Sequence, residues 1–165
     1  MTEADISRDL ARDDVRAGEQ TVEADAAGDA QLRFIGRIRT PWPDRDACPR
    51  QGRTDGPECT IEVFEPWVDA LAGLDAYSSV EVLYWLDRAR RDLTRQSPAF
   101  DGVTYGTFAL RSPARPNPIG TSMVALLGIE GATLRVRGLD CVDGTPLIDL
   151  KPDRCEFTPK AKAKP

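Results

Sequence analysis

Between Leu32 and Pro152 no apolar pattern runs far before a proline or glycine stops it, and that punctuation limits the chain to short strands. "LRFIGRIRT" alternates apolar and basic residues and ends at Pro41, as a half-buried strand should, and "CTIEVFEP" repeats the pattern and ends at Pro66. "SVEVLYWLD" is a further strand, and "YGTFALRS", "SMVALLGIEG", "TLRVRGLDCVDG" and "PLIDLKP" continue the series with glycine-containing turns between them. Only "WVDALAGLDAYS" carries helical spacing, through Trp67, Leu71 and Leu74, which predicts a turn or two of helix. Many short strands and little helix make the chain mainly β, a mostly antiparallel barrel or sandwich with one or two short helices.

The 165 residues are enough for one domain with a real core. Residues 1–31 carry nine acids against three arginines and almost no large apolar side chain, so they read as a mobile acidic leader, with a short helix near Ile6–Val15 as the competing view. The folded domain is expected over 32–157, followed by a mobile basic tail over 158–165. Without the leader's −6, the net charge of −5 becomes +1, which leaves polyanion binding open. No run reaches the length of a membrane span and no signal peptide is legible, so the sequence reads as cytoplasmic.

The chain has no histidine, and its four cysteines (Cys48, Cys59, Cys141, Cys155) form no CxxC pair. Free thiols in a reducing compartment follow, and no metal site is expected. A Ser-His or Cys-His nucleophile is excluded, and any general base must be a carboxylate, a lysine, a tyrosine or the substrate itself.

Function should lie in the polar insertions at 43–57, 86–102, 111–122 and 139–152. In "RSPARPNPIG" three prolines fix φ and bias their neighbours toward extended geometry, so the loop is stiff. Arg111 and Arg115 carry planar forks suited to carboxylate or phosphate, and Asn117 is both donor and acceptor. A proline-stiffened connection with surface arginines fits the same residues. In "VDGTPLIDLKP" the Asp143-Gly144 turn and Thr145-Pro146 lead into a last strand, which by itself could be a hairpin turn followed by an edge strand.

"CPRQGR", "RSPARPNPIG" and "DGTPLIDLKP", in that order, resemble the TrmO (YaeB-like or TsaA-like) family of S-adenosylmethionine-dependent tRNA methyltransferases. "FIGRIRTPW" and "GLDAYSSVEVLYWLD" extend the likeness, which covers Arg33 to Pro152. The resemblance implies a single small β-barrel and a homodimer with the cofactor near the subunit interface. It places S-adenosylmethionine against Pro49, Arg50, Gln51, Leu86, Asp87, Arg111, Ser122 or its neighbour Met123, and Asp143, Gly144, Thr145 and Pro146. Arginine suits the cofactor's carboxylate, Asp143 or Asp87 its ammonium or ribose hydroxyls, and turn amides its adenine edge.

The family's substrate is an anticodon-loop adenosine of tRNA already bearing N6-threonylcarbamoyl, methylated at that nitrogen. Asp140, Asp143 or Asp149 could take the proton, or it could pass to water. Arg115, Asn117 and Lys151 are the candidate substrate contacts, Lys151 being equally suited to an ordinary surface strand. Arg88, Arg90, Arg91 and Arg95 could meet phosphates or form the wet face of a short helix. Ser79 stands where the family commonly has histidine and Leu110 where it has threonine, and the longer bacterial members continue into a further domain. The alternatives are methylation of a different RNA or a small molecule, and a non-catalytic S-adenosylmethionine-binding module.

Overall fold

The computed structural model describes residues 15–23, 30–99 and 102–153. Nine strands run in chain order: β1 (Gln20–Thr21), β2 (Gly36–Arg39), β3 (Glu58–Val63), β4 (Ser79–Trp85), β5 (Leu93–Gln96), β6 (Tyr105–Gly106), β7 (Ile119–Glu130), β8 (Thr133–Arg137) and β9 (Pro146–Pro152). Three short 3-10 turns accompany them: η1 (Val68–Leu71), η2 (Leu74–Ala76) and η3 (Thr107–Ala109). The residues fall in two compact units, one holding Leu32–Trp85 and the chain from Gly120 on, the other Leu86–Ile119 with the N-terminal residues.

The first unit is a closed barrel with strand order β2-β3-β8-β7-β4-β9. The β2–β3, β3–β8, β8–β7, β4–β9 and β9–β2 ladders are antiparallel. Period-2 alternation sends one face of each strand inward. On β3 this buries Cys59, Ile61 and Val63, and on β4 Val80, Val82 and Tyr84. Ile38, Val124, Leu134, Val136 and Leu147 complete the interior, each worth about 1.5–3 kcal/mol of apolar burial. The outer face carries the charges, including the Arg39–Glu62 and Arg135–Glu58 pairs.

Closure corrects one expectation. The strand after Asp143-Gly144 is not at an edge: β9 pairs with β2 on one side and β4 on the other, and no hairpin partner precedes it. "WVDALAGLDAYS" forms η1 and η2, separated by Gly73 at φ +83°. That left-handed residue stops the two turns from joining into one helix.

The second unit contains a three-stranded sheet in the order β1-β5-β6. Here the arginine-rich insertion forms no helix among the described residues: Arg88 stands in a turn, Arg90 and Arg91 in irregular chain, and Arg95 on β5. Arg90 meets Asp92 through two hydrogen bonds of 2.7 and 2.9 Å, an i, i+2 pairing natural to an extended chain and foreign to a helix face. "YGTFALRS" leaves the ladder after two residues, because Thr107 turns inward and donates to the Leu93 carbonyl at 2.7 Å. Part of the acidic leader is placed as well. Gln20–Thr21 pairs with β5, and the Glu19 carboxylate accepts the Ser97 amide at 2.9 Å. The mobile-leader and Ile6–Val15 helix expectations otherwise fall on 1–14 and 24–29, and the basic tail on 158–165, outside the described residues.

Candidate functional site

Within the barrel unit, one carboxylate gathers residues from three of the four polar insertions, 43–57, 111–122 and 139–152. Asp140, in the loop after β8, accepts the Tyr84 hydroxyl at 2.8 Å and the Ser122 hydroxyl at 3.1 Å through Oδ1. Its Oδ2 accepts the Gly52 amide at 3.0 Å. The two hydroxyl oxygens lie 2.9 Å apart. Two hydroxyl protons therefore serve three short contacts, and directing both at the carboxylate satisfies its charge best. Burial, reinforced by the Asp140 charge, pushes the Tyr84 phenol far above its ordinary range, so Tyr84 stays a proton donor.

Gly52 reaches this junction because it has no side chain. A Cβ there would sit 1.8 Å from the Gly138 carbonyl oxygen. The close approach fixes the "CPRQGR" loop against the end of β8, and the three residues before Gly52 are the sequence-predicted Pro49, Arg50 and Gln51. Arg50 and Gln51 are exposed, and neither has a hydrogen-bond or ion-pair partner among the described residues.

The Asp143–Pro146 turn is tied to β2 and the residues after it. Asp143 Oδ1 accepts the Thr40 amide at 3.1 Å, and Oδ2 lies 3.7 Å from Arg39. The Gly144 amide donates to Ile38 and the Ile38 amide to Thr145, at 2.8 and 2.9 Å. The Thr145 hydroxyl is spent on the Val142 carbonyl at 2.7 Å. Gly144 holds φ +81° with open space where a side chain would stand, and it is half-buried.

Of the neighbours Ser122 and Met123, Ser122 is 8% exposed and belongs to the internal network, while Met123 is 49% exposed on the outer face of β7. Asp149 and Lys151 lie on β9, their charged ends 3.3 Å apart. Asp149 also lines a groove of about 520 Å³ with Trp67, Leu71, Leu74, Tyr77 and Ile148. No other sequence-predicted site residue is among the groove's lining residues.

In the second unit, Arg91 Nε donates to the Pro116 carbonyl at 2.6 Å and Arg91 Nη2 to Asn117 Oδ1 at 3.5 Å. Arg115 Nη1 is committed to the Leu110 and Ser112 carbonyls at 2.9 and 3.2 Å. The stiff loop is thus clamped by its own arginine. Leu86 donates its amide to the Pro118 carbonyl at 2.8 Å, and Asp87 follows it, exposed. Arg111 is exposed and, among the described residues, without a partner.

Two residues that organise these loops escape sequence reasoning. Gly52 and Tyr84 carry no charge and stand inside ordinary patterns; the only signal for Gly52 was its place within "CPRQGR". Cys48, Cys59 and Cys141 are free, as expected. No described helix is long and apolar enough to cross a membrane, and no group of three or more described His, Cys, Asp or Glu side chains is arranged to hold a metal.

Residues 37–157 match the family model of the tRNA-methyltransferase O N-terminal domain. A probable S-adenosyl-L-methionine-binding protein VirR of Rhizobium radiobacter is 52% identical over 91% of this chain and 86% of its own length. The tRNA (adenine(37)-N6)-methyltransferase of Escherichia coli K12 is 34% identical over 82% of this chain and 60% of its own. A crystal structure of TrmO from Pseudomonas aeruginosa superimposes with a TM-score of 0.67 at 34% identity, covering 82% of this chain. The chain spans 60% of that structure's length.

Proposed function

The chain belongs to the TrmO family, and on that premise we propose that it is a methyltransferase that uses S-adenosylmethionine to methylate N6 of threonylcarbamoyladenosine in the anticodon loop of tRNA. The observation that carries this reading is the Asp140 junction, which holds the Pro49–Gln51 loop to the barrel by way of Gly52. The residues present fit the cofactor chemically. Arg50 and Arg111 offer exposed guanidiniums without partners among the described residues, Gln51 offers an amide, and the turn at Gly144 leaves open space beside its backbone.

When bound, S-adenosylmethionine supplies an electrophilic methyl on a sulfonium sulfur. In the barrel unit Arg50 would suit its carboxylate and the Asp143–Pro146 turn its adenine edge; in the second unit Arg111 would suit the carboxylate and Asp87 the ammonium or ribose hydroxyls. Met123 rather than Ser122 contributes a side chain, since the Ser122 hydroxyl is engaged inside the barrel. The chain's main contribution is orientation, as an in-line transfer requires. Asp140 already accepts three donors, while Asp143 lies beside Arg39 and Asp149 beside Lys151. These carboxylates therefore hold structure, and the N6 proton leaves to solvent. In the second unit Asn117 is the candidate acceptor contact, with Arg115 stiffening the loop that carries it; in the barrel unit the candidate is Lys151.

The enzyme acts in the cytoplasm as a homodimer with the cofactor near the subunit interface. Met123 and Leu127, both exposed on β7, give a second copy an apolar surface. Residues 32–157 are the catalytic domain.

Incubation with labelled S-adenosylmethionine and bulk tRNA, followed by nucleoside analysis, tests the reading. Labelled N6-methylated threonylcarbamoyladenosine is expected; cofactor binding with no labelled adenosine from any tRNA pool overturns it. A second reading, a binding module without turnover, is favoured by the likeness to a relative named for S-adenosyl-L-methionine binding, 86% of whose length the chain spans. Tight cofactor binding with no product from any acceptor would select it.

A further inference from the structure

Phe108 is 80% exposed, more than any other large apolar side chain among the described residues. Its position does not come from a loose loop. Thr107, 3% exposed, donates to the Leu93 carbonyl at 2.7 Å and accepts Gln96 Nε2 at 3.0 Å. The same Gln96 nitrogen, on a side chain only 6% exposed, donates to the Ala114 carbonyl at 2.6 Å. The Leu110 amide closes η3 on the Thr107 carbonyl at 3.2 Å. A buried polar network thus fixes the backbone on both sides of a ring left in water, where it forgoes the burial that stabilises an ordinary Phe.

The surroundings are cationic. Residues 86–119 hold six arginines against three aspartates. Arg95 lies directly across the β5–β6 ladder from Gly106, two residues before Phe108. It is exposed and has no partner among the described residues. Gly106 puts no side chain over it, and the space there is open. Of its neighbours in sequence, Gly106, Ala109 and Arg111 bring no large apolar side chain and Leu110 is half-buried, whereas a protein-docking patch would set further exposed apolar groups beside the ring. A rigid aromatic face beside unpaired guanidinium is the combination that binds single-stranded nucleic acid, the ring taking a base and the cation a phosphate.

We propose that Phe108 is a stacking platform for an unpaired base of the RNA substrate, with Arg95 taking a neighbouring phosphate. This rests on the proposed function, in which the acceptor base stands in a single-stranded loop, and it names residues of the second unit that engage that loop.

An anticodon stem-loop oligoribonucleotide is the probe, with Phe108→Ala, Phe108→Leu, Phe108→Tyr and Arg95→Ala compared with the full chain. RNA affinity is read by fluorescence anisotropy, cofactor affinity by calorimetry and assembly by sedimentation velocity. Phe108→Ala and Phe108→Leu are expected to weaken RNA binding about 5- to 150-fold, and Phe108→Tyr to stay within about twofold of wild type. Arg95→Ala should weaken binding and lower the slope of log K against log salt by about one. S-adenosylmethionine affinity and sedimentation should be unchanged in all four.

Wild-type RNA binding in Phe108→Ala overturns the proposal, as does wild-type binding in Phe108→Leu, which would show a greasy contact rather than stacking. Lost cofactor affinity or lost self-association overturns it too, by assigning the ring to those surfaces. If wild type binds S-adenosylmethionine but no RNA, the tRNA acceptor fails together with this proposal; if wild type binds RNA and Phe108→Ala binds it equally well, the assignment of Phe108 alone fails.

Discussion

Tyr84 and Asp140, 56 residues apart, meet through a 2.8 Å hydrogen bond that links β4 to the loop after β8. The phenol is buried and the carboxylate is shared with Ser122 and the Gly52 amide, so one contact stands at the centre of a small polar network in an otherwise apolar barrel. Such networks are expensive to break singly, because each broken bond leaves a buried polar group without a partner.

Tyr84→Phe is therefore expected to lower unfolding stability by about 1.5–3 kcal/mol, the range for a hydrogen bond to a charged group. Asp140→Ala should cost more, since it removes the acceptor shared by two hydroxyls and the Gly52 amide, leaving the hydroxyls only each other and the amide no partner. Equilibrium denaturation of both variants checks this order. Equal stability of Asp140→Ala and wild type would remove Asp140 from its structural role and return it as a base.

Gly52→Ala introduces a Cβ that would lie 1.8 Å from the Gly138 carbonyl oxygen, with backbone as the obstacle. The loop must move, at a cost of about 1–3 kcal/mol for overpacking. Because Pro49, Arg50 and Gln51 move with it, calorimetry should show S-adenosylmethionine affinity reduced more than tenfold, about 1.4 kcal/mol, while far-UV circular dichroism stays that of the barrel.

Acid should loosen the N-terminal strand first. Partial burial opposes ionisation of Glu19, but hydrogen bonds from the Arg16 and Ser97 amides outweigh it and hold the carboxyl below its ordinary value of 4.5. A depressed folded value means that the contribution is present above about 4.5 and is lost as pH falls through the lower folded value. Hydrogen exchange of the Ser97 amide, corrected for the intrinsic pH dependence, should lose protection over that window. Glu19→Gln should remove the window.

The thiols set the alkaline limit. Burial, with the Asp140 charge adding to it, pushes Cys141 up to about 12, and burial likewise raises Cys59 and Cys48. Because these folded values are raised, stability is fully present below the ordinary thiol value of 9.0 and declines as pH climbs toward the folded values. Under native conditions at pH 8, iodoacetamide mapped by mass spectrometry should label the half-buried Cys48 ahead of the buried Cys59 and Cys141.

Much of the fold was legible because the signal is local. The alternation in "CTIEVFEP" and "SVEVLYWLD" assigns β3 and β4 and names their inward residues, Ile61, Val63, Val80 and Val82. The order of the proline-rich and glycine-rich motifs placed the chain in its family. β5 was not legible: its "LTRQ" lies among charges, and it becomes a strand because β1 and β6 pair on both its edges. Nor could the turn at Thr107 be seen, since the partners of its hydroxyl, Leu93 and Gln96, lie 14 and 11 residues away.

By itself, then, the sequence determined short, period-2 strands, the absence of histidine chemistry and the family to which the chain belongs. Tertiary structure alone decided that the strands close into a barrel, that β9 has neighbours on both sides and that Asp140 joins Tyr84, Ser122 and Gly52. The physical reason is range. Side-chain alternation is set by adjacent residues, whereas the Gly52–Asp140 contact spans 88 positions and exists only once closure has brought those backbones together.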